Sequence, residues 1–255
     1  MRRRLLLALP ALLPARAASA REAPLVAAAA DLQFALEEIA ARFRGQTGIV
    51  LRLSFGSSGN ITRQIEQGSP VELFLSADEE FVLRLHRGGH TRDEGTPYAV
   101  GRIVLFTPPG SPIRTEAGLA GLREALAAGR ITRFAIAAPD HAPYGRAAMQ
   151  ALQRVGLWEA IRPHLVFGEN VAQAAQFALV GGSQGGIVAL SLVLAPALQG
   201  RGNHNLIPEE LHEQLRQRMV LTRRASPGAE RFYAYMQQAE ARAIMRRYGF
   251  VLPGE

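Results

Sequence analysis

Short β-rich runs and amphipathic helical runs alternate along almost the whole chain, and this restricts the fold more than any other feature. Residues 24–28 read as a buried strand. Leu32, Ala35, Leu36, Ile39 and Phe43 then recur at helical spacing until Gly48 closes the unit. Residues 50–55, 73–75, 99–107, 134–137, 165–167, 187–190 and 219–221 repeat the strand signature. Between them lie helical runs around Ile61 and Ile65 and over 79–87, 119–127, 146–155 and 171–180, followed by a helical tail over 229–248 with room for one break. Stretches 110–115 and 200–205 are the loosest. This alternation predicts an α/β fold: a mostly parallel sheet with helices on both faces, in one large domain or two lobes. In such sheets a ligand sits beyond the carboxyl ends of strands, where helices begin. The strand-to-helix joints are therefore the places to look for chemistry.

The amino terminus reads differently. Arg2, Arg3 and Arg4 precede a short apolar run, and Ala18-Ser19-Ala20 is a small-x-small cleavage site, so residues 1–20 read as a secretory signal peptide. That apolar run is shorter than the roughly 20 residues a bilayer requires. The chain has no Cys, which removes disulfides, thiolate metal sites, a Cys nucleophile and a lipidated Cys from consideration. The formal charge of +7 includes Arg2, Arg3, Arg4 and Arg16. Without them, 25 basic residues face 22 acidic ones, an excess of about +3 that is no nucleic-acid footprint.

The joint Ser54-Phe55-Gly56-Ser57-Ser58-Gly59-Asn60 carries the strongest signal. Gly56 and Gly59 allow close approach to a ligand, and Ser57 and Ser58 bring hydroxyls. The following helix brings free N–H groups and the positive end of its dipole, so the joint is an anion site without formal charge. The plainer reading is a Ser N-cap on a surface helix. At Ala28-Ala29-Ala30-Asp31 the wall is uncluttered, and Asp31 stands where the first helix starts. A carboxylate about 4 Å from one unit of negative charge costs roughly 4 kcal/mol at an effective dielectric of 20. A capping role for Asp31 is therefore preferred over a ligand-facing one. Tyr144, in the loop 139–145, offers a phenolic donor, and His141 beside it reads as an ordinary loop histidine. Asn170 reads as an N-cap that leaves the Val171 N–H free for a ligand. No nucleophile elbow, zinc motif, P-loop or dinucleotide fingerprint is present, so catalysis is not expected.

In this order, these joints resemble the periplasmic molybdate-binding proteins of ABC transporters. The resemblance spans the mature chain, from Ala27-Ala28-Ala29-Ala30 through Gly56-Ser57-Ser58-Gly59, Ser76-Ala77-Asp78 and Glu169-Asn170-Val171 to Arg247-Tyr248-Gly249-Phe250. It implies two hinged lobes that close on a tetrahedral dianion, molybdate or tungstate, held by neutral donors. No cofactor is implied, and the partner is a membrane permease. Carried over, Ser58 supplies a hydroxyl, Val171 a backbone N–H, and Tyr144 stands at a backbone-donor position where its hydroxyl could serve as well. All three would meet oxyanion oxygens rather than a metal ion, with Ser57 and Asp31 alongside. Lobe 1 is expected over 21–100 plus about 214–255, and lobe 2 over about 101–213, in a monomeric periplasmic protein. Two alternatives stay open. One is the same fold binding phosphate, arsenate or sulfate, which Asp31 would favour by accepting a hydrogen bond from a protonated anion. The other is a periplasmic enzyme or sensor lobe.

Overall fold

The computed structural model describes residues 23–254. The signal-peptide reading of residues 1–20 lies outside them. The elements follow the predicted alternation. First come β1 (Leu25–Ala29), α1 (Gln33–Thr47), β2 (Arg52–Gly56), α2 (Ser58–Glu66), β3 (Leu73–Ser76), α3 (Glu79–Arg87) and β4 (Thr96–Gly101). Next are β5 (Ile103–Thr107), α4 (Leu119–Ala127), β6 (Phe134–Ala137), α5 (Pro143–Arg154), α6 (Trp158–Ile161), β7 (Leu165–Gly168), α7 (Val171–Val180), β8 (Gly185–Ala189), α8 (Leu190–Val193) and β9 (Asn203–Leu206). The chain closes with β10 (Leu215–Leu221), α9 (Pro227–Tyr235) and α10 (Ala239–Arg247).

Two five-stranded sheets form two lobes, in the orders β2-β1-β3-β10-β4 and β7-β6-β8-β5-β9. Each sheet is mixed rather than mostly parallel. β1 pairs in parallel with β2 and β3, and β6 with β7 and β8, but β10 runs antiparallel to β3 and β4, and β5 to β8 and β9. The antiparallel strands are those that enter a sheet from the other lobe instead of over a crossover helix. The apolar run 99–107 is therefore not one strand. It breaks at Arg102, and its two halves join different sheets. The stretch 200–205, expected as loose, holds the edge strand β9, whose polar Asn-His-Asn sequence hides its pairing with β5.

Local chemistry accounts for the element ends. Gly48 closes α1 with φ 72°, a left-handed turn that Gly adopts without penalty. Asp78 caps α3 by accepting from the Glu80 N–H at 2.9 Å. The buried face of α1 (Ala35, Leu36, Ile39, Phe43) packs toward the carboxyl-terminal helices, with the Phe43 ring 5.1 Å from Phe232 and 5.3 Å from Tyr235. Ala29, Ala30 and Ala77 stand at the strand ends of the first lobe and pack into the apolar core of the second. Small side chains here let the two lobes approach closely at the carboxyl ends of their strands.

Candidate functional site

Helices α2, α5 and α7 each begin beyond a strand's carboxyl end, and their first residues line one cavity between the lobes. Its walls come from residues 29–31, 56–58, 142–144 and 170–171, with Ala77. The free space is about 190 Å³, part of it open to solvent, and only about a water's worth lies clear of the walls. That leaves room for nothing larger than a small ion, well below the 300–1,000 Å³ usual for larger organic ligands. A larger hollow, of about 1070 Å³ by the same measure, lies elsewhere, around Pro24, Ile49 and Arg231, at the amino ends of β1 and β2. The carboxyl-end cavity is the one that helix starts face.

The structure brings Ser57, Ser58, Tyr144, Val171 and Asp31 together in that cavity. Ser58 is fully buried, and its Oγ accepts the Ala77 N–H at 3.0 Å. An accepting hydroxyl still has its own hydrogen to give, so Ser58 is poised to donate. Asn170 caps α7 as expected, accepting from the Ala172 and Gln173 N–H groups at 3.0 Å each. Val171 follows as the first helical residue, where a backbone N–H has no intrahelical acceptor. Tyr144 is the second residue of α5, just after Pro143, and its N–H likewise lies in a first turn without an intrahelical acceptor. Ser57 precedes α2 without capping it. Its Oγ instead meets His141 Nδ1 at 2.9 Å across the cleft, so His141 is more than an ordinary loop residue.

The expected capping role for Asp31 is corrected. Asp31 lies inside a 3-10 turn (Ala30–Leu32) with no side-chain cap bond, and it is buried. Its Oδ2 accepts the Tyr144 hydroxyl at 2.9 Å and the Gln217 side-chain amide at 2.6 Å. Oδ1 makes no hydrogen bond, although the backbone N–H groups of Asp31 and Leu32 lie near enough to favour the charged form. Burial outweighs those favourable contacts and pushes the carboxyl up to about 6. The Tyr144 hydroxyl is thus spent on Asp31, leaving Tyr144 its backbone N–H for a ligand. Gln217 escaped the sequence reading. Its signal was present: it alternates with Leu215 and Met219 on the inward face of β10, a buried polar side chain in an apolar row.

A family model described as bacterial extracellular solute-binding protein matches residues 24–251. The chain belongs to that family. This solute-binding protein is 34% identical to the molybdate-binding protein ModA of Azotobacter vinelandii over 252 residues, covering 98% of this chain and 97% of that one. It is also 34% identical to the molybdate-binding protein ModA of Rhodobacter capsulatus, over 89% of this chain and 87% of the relative. The solved periplasmic molybdate-binding protein of A. vinelandii superposes with a TM-score of 0.82 at 32% identity, covering 90% of this chain and 99% of that one.

In this solute-binding protein the two lobes are in contact around the cavity. The Gly59 N–H donates to the His141 carbonyl at 3.0 Å, and Arg146 of α5 pairs with Asp78 at the start of α3. Asn60 reaches Glu169 at 3.5 Å, and the Ser191 hydroxyl donates to the Asp31 carbonyl at 2.7 Å. These contacts cross from one sheet's lobe to the other's.

Proposed function

We propose that the chain captures molybdate or tungstate between its lobes in the periplasm and delivers it, unreacted, to the permease of an ABC transporter. In this reading residues 1–20 direct export, lobe 1 comprises 21–100 with about 214–255, lobe 2 comprises about 101–213, and the protein acts as a monomer. The observation that carries the reading is Ser58, whose buried hydroxyl has its accepting side filled by Ala77 and its hydrogen left to give, beside the free first-turn N–H of Val171. Three helix N-termini around one small cavity favour an anion. No Arg lines that cavity among the described residues, so the donors are neutral dipoles that replace the ion's water shell. The relatives' names point the same way.

Asp31 favours a second reading, in which the same cavity takes phosphate, arsenate or sulfate. Thermal unfolding of the ligand-stripped protein with a panel of oxyanions separates the two. A ligand at a hundred times its dissociation constant adds about 2.7 kcal/mol, roughly 5–11 °C in Tm for a chain of this size. The expected result is a shift of that order with molybdate and tungstate and none with the others. A shift with phosphate or arsenate alone would replace the named ligand and keep the site.

A further inference from the structure

Asp31 is the one carboxylate in the cavity wall among the described residues, and its hydrogen bonds decide where a proton on it would sit. The Gln217 amide donates to the Tyr144 hydroxyl oxygen at 3.2 Å as well as to Asp31 Oδ2 at 2.6 Å. The Tyr144 hydrogen must therefore point away from Gln217, and it is given to the same Oδ2 at 2.9 Å. With two donors on Oδ2, that oxygen is an acceptor and cannot also carry a proton without displacing one of them. Oδ1 is buried and has no hydrogen bond of acceptable geometry, although the backbone N–H groups of Asp31 and Leu32 lie near the carboxylate.

We propose that Asp31 meets the oxyanion as a neutral carboxylic acid, with a proton on Oδ1 that it donates to an anion oxygen, so that each captured dianion brings one proton with it. This rests on the oxyanion reading above. A proton leaves solvent and forms the Oδ1–H bond, and no other bond changes. The repulsion that makes a carboxylate unwelcome beside a dianion is thereby removed, and an acceptor without a partner in the protein becomes a donor. Burial in the closed site already raises this carboxyl to about 6, toward accepting that proton. The surrounding groups do not compete for it. Tyr144 on α5 and Tyr98 on β4 are the titratable groups facing Asp31, and burial together with Asp31's own charge pushes both phenols well above their ordinary range. Gln217 on β10 and Ser191 on α8 are uncharged.

Calorimetric titration of the mature protein with sodium molybdate over about pH 6 to 9 tests this, because the ligand stays a dianion across that range. Above the carboxyl's ligand-free pKa, the dissociation constant is expected to rise about tenfold per pH unit, and buffers of different ionisation enthalpy should report one proton taken up per anion. In Asp31→Asn the amide oxygen can keep Tyr144 and Gln217 while its N–H₂ replaces the Oδ1 donor. That variant should bind molybdate with an affinity that hardly changes with pH. A wild-type affinity that is flat over this range, with no proton uptake, would overturn the inference while leaving molybdate capture intact. If neither protein binds molybdate at any pH, the capture reading itself fails, and this inference with it.

Discussion

Gly59→Ala is expected to weaken oxyanion binding by roughly 30- to 150-fold while leaving the opened protein as stable as the wild type or slightly more so. Gly59 is in the first turn of α2, and a Cβ there would stand 2.7 Å from the His141 carbonyl oxygen and 3.0 Å from its Cβ. The nearest obstacles are backbone or near-backbone atoms of the other lobe, so no rotamer change relieves them. Within its own lobe the position suits alanine, which favours helix over glycine by about 1 kcal/mol. The penalty, of the order of 2–3 kcal/mol for overpacking, falls on closure alone. The same change also disturbs the Gly59–His141 hydrogen bond that joins the lobes. Titration calorimetry gives the affinity and thermal melts give the stability. Wild-type affinity in the variant would mean that binding does not need the lobes as close as the structure places them.

A second large effect concerns Asp31 with the lobes closed on it as in the structure, where Tyr144 of the other lobe is one of its partners. Burial raises Asp31 from 3.8 to about 6, so the folded state holds this proton more tightly than the unfolded chain does. Its contribution to stability is complete below about pH 4 and is lost as pH rises through about 6. By about pH 8 the folded protein bears an ionised buried carboxylate, at a cost of about 3 kcal/mol relative to acid conditions. Asp31→Asn removes that ionisation and keeps the side-chain shape. The variant is expected to melt roughly 6–12 °C above wild type near pH 8, with the gap closing toward pH 4. Melting curves of the two proteins across this range decide the matter, since their difference isolates Asp31 from every other titrating group. Equal melting at all pH values would show that the carboxyl is better solvated, or better paired, than its surroundings indicate.

Much of the architecture could be read from periodicity because each α/β unit carries its own signal. The α1 stripe ending at Gly48, the α7 cap at Asn170 and the broken helical tail are local patterns set by neighbours within a few residues. The failures are all long-range. The break at Arg102 lies inside a continuous apolar run, and only partner strands from two different sheets reveal it. Asp31 stands at a helix start, where a cap is the economical reading. Its real partners, Tyr144 and Gln217, are 113 and 186 residues away in sequence. Ser57 looked like a cap for the same reason and turned instead to His141, 84 residues on. Local rules named these residues and gathered them to the strand ends, but which hydrogen bond each makes depends on the second lobe.

The central claim is that the anion sits among the starts of α2, α5 and α7. The direct measurement is a crystal structure of the protein soaked or grown with tungstate or molybdate, with the metal located by its anomalous scattering. The expected result is a single strong peak between the lobes, with oxygens within hydrogen-bond distance of the Ser58 hydroxyl and the Val171 N–H, and with Asp31 Oδ1 facing one of them. A peak in the hollow beside Pro24 and Arg231, or no ordered ion at saturating ligand, would contradict the account.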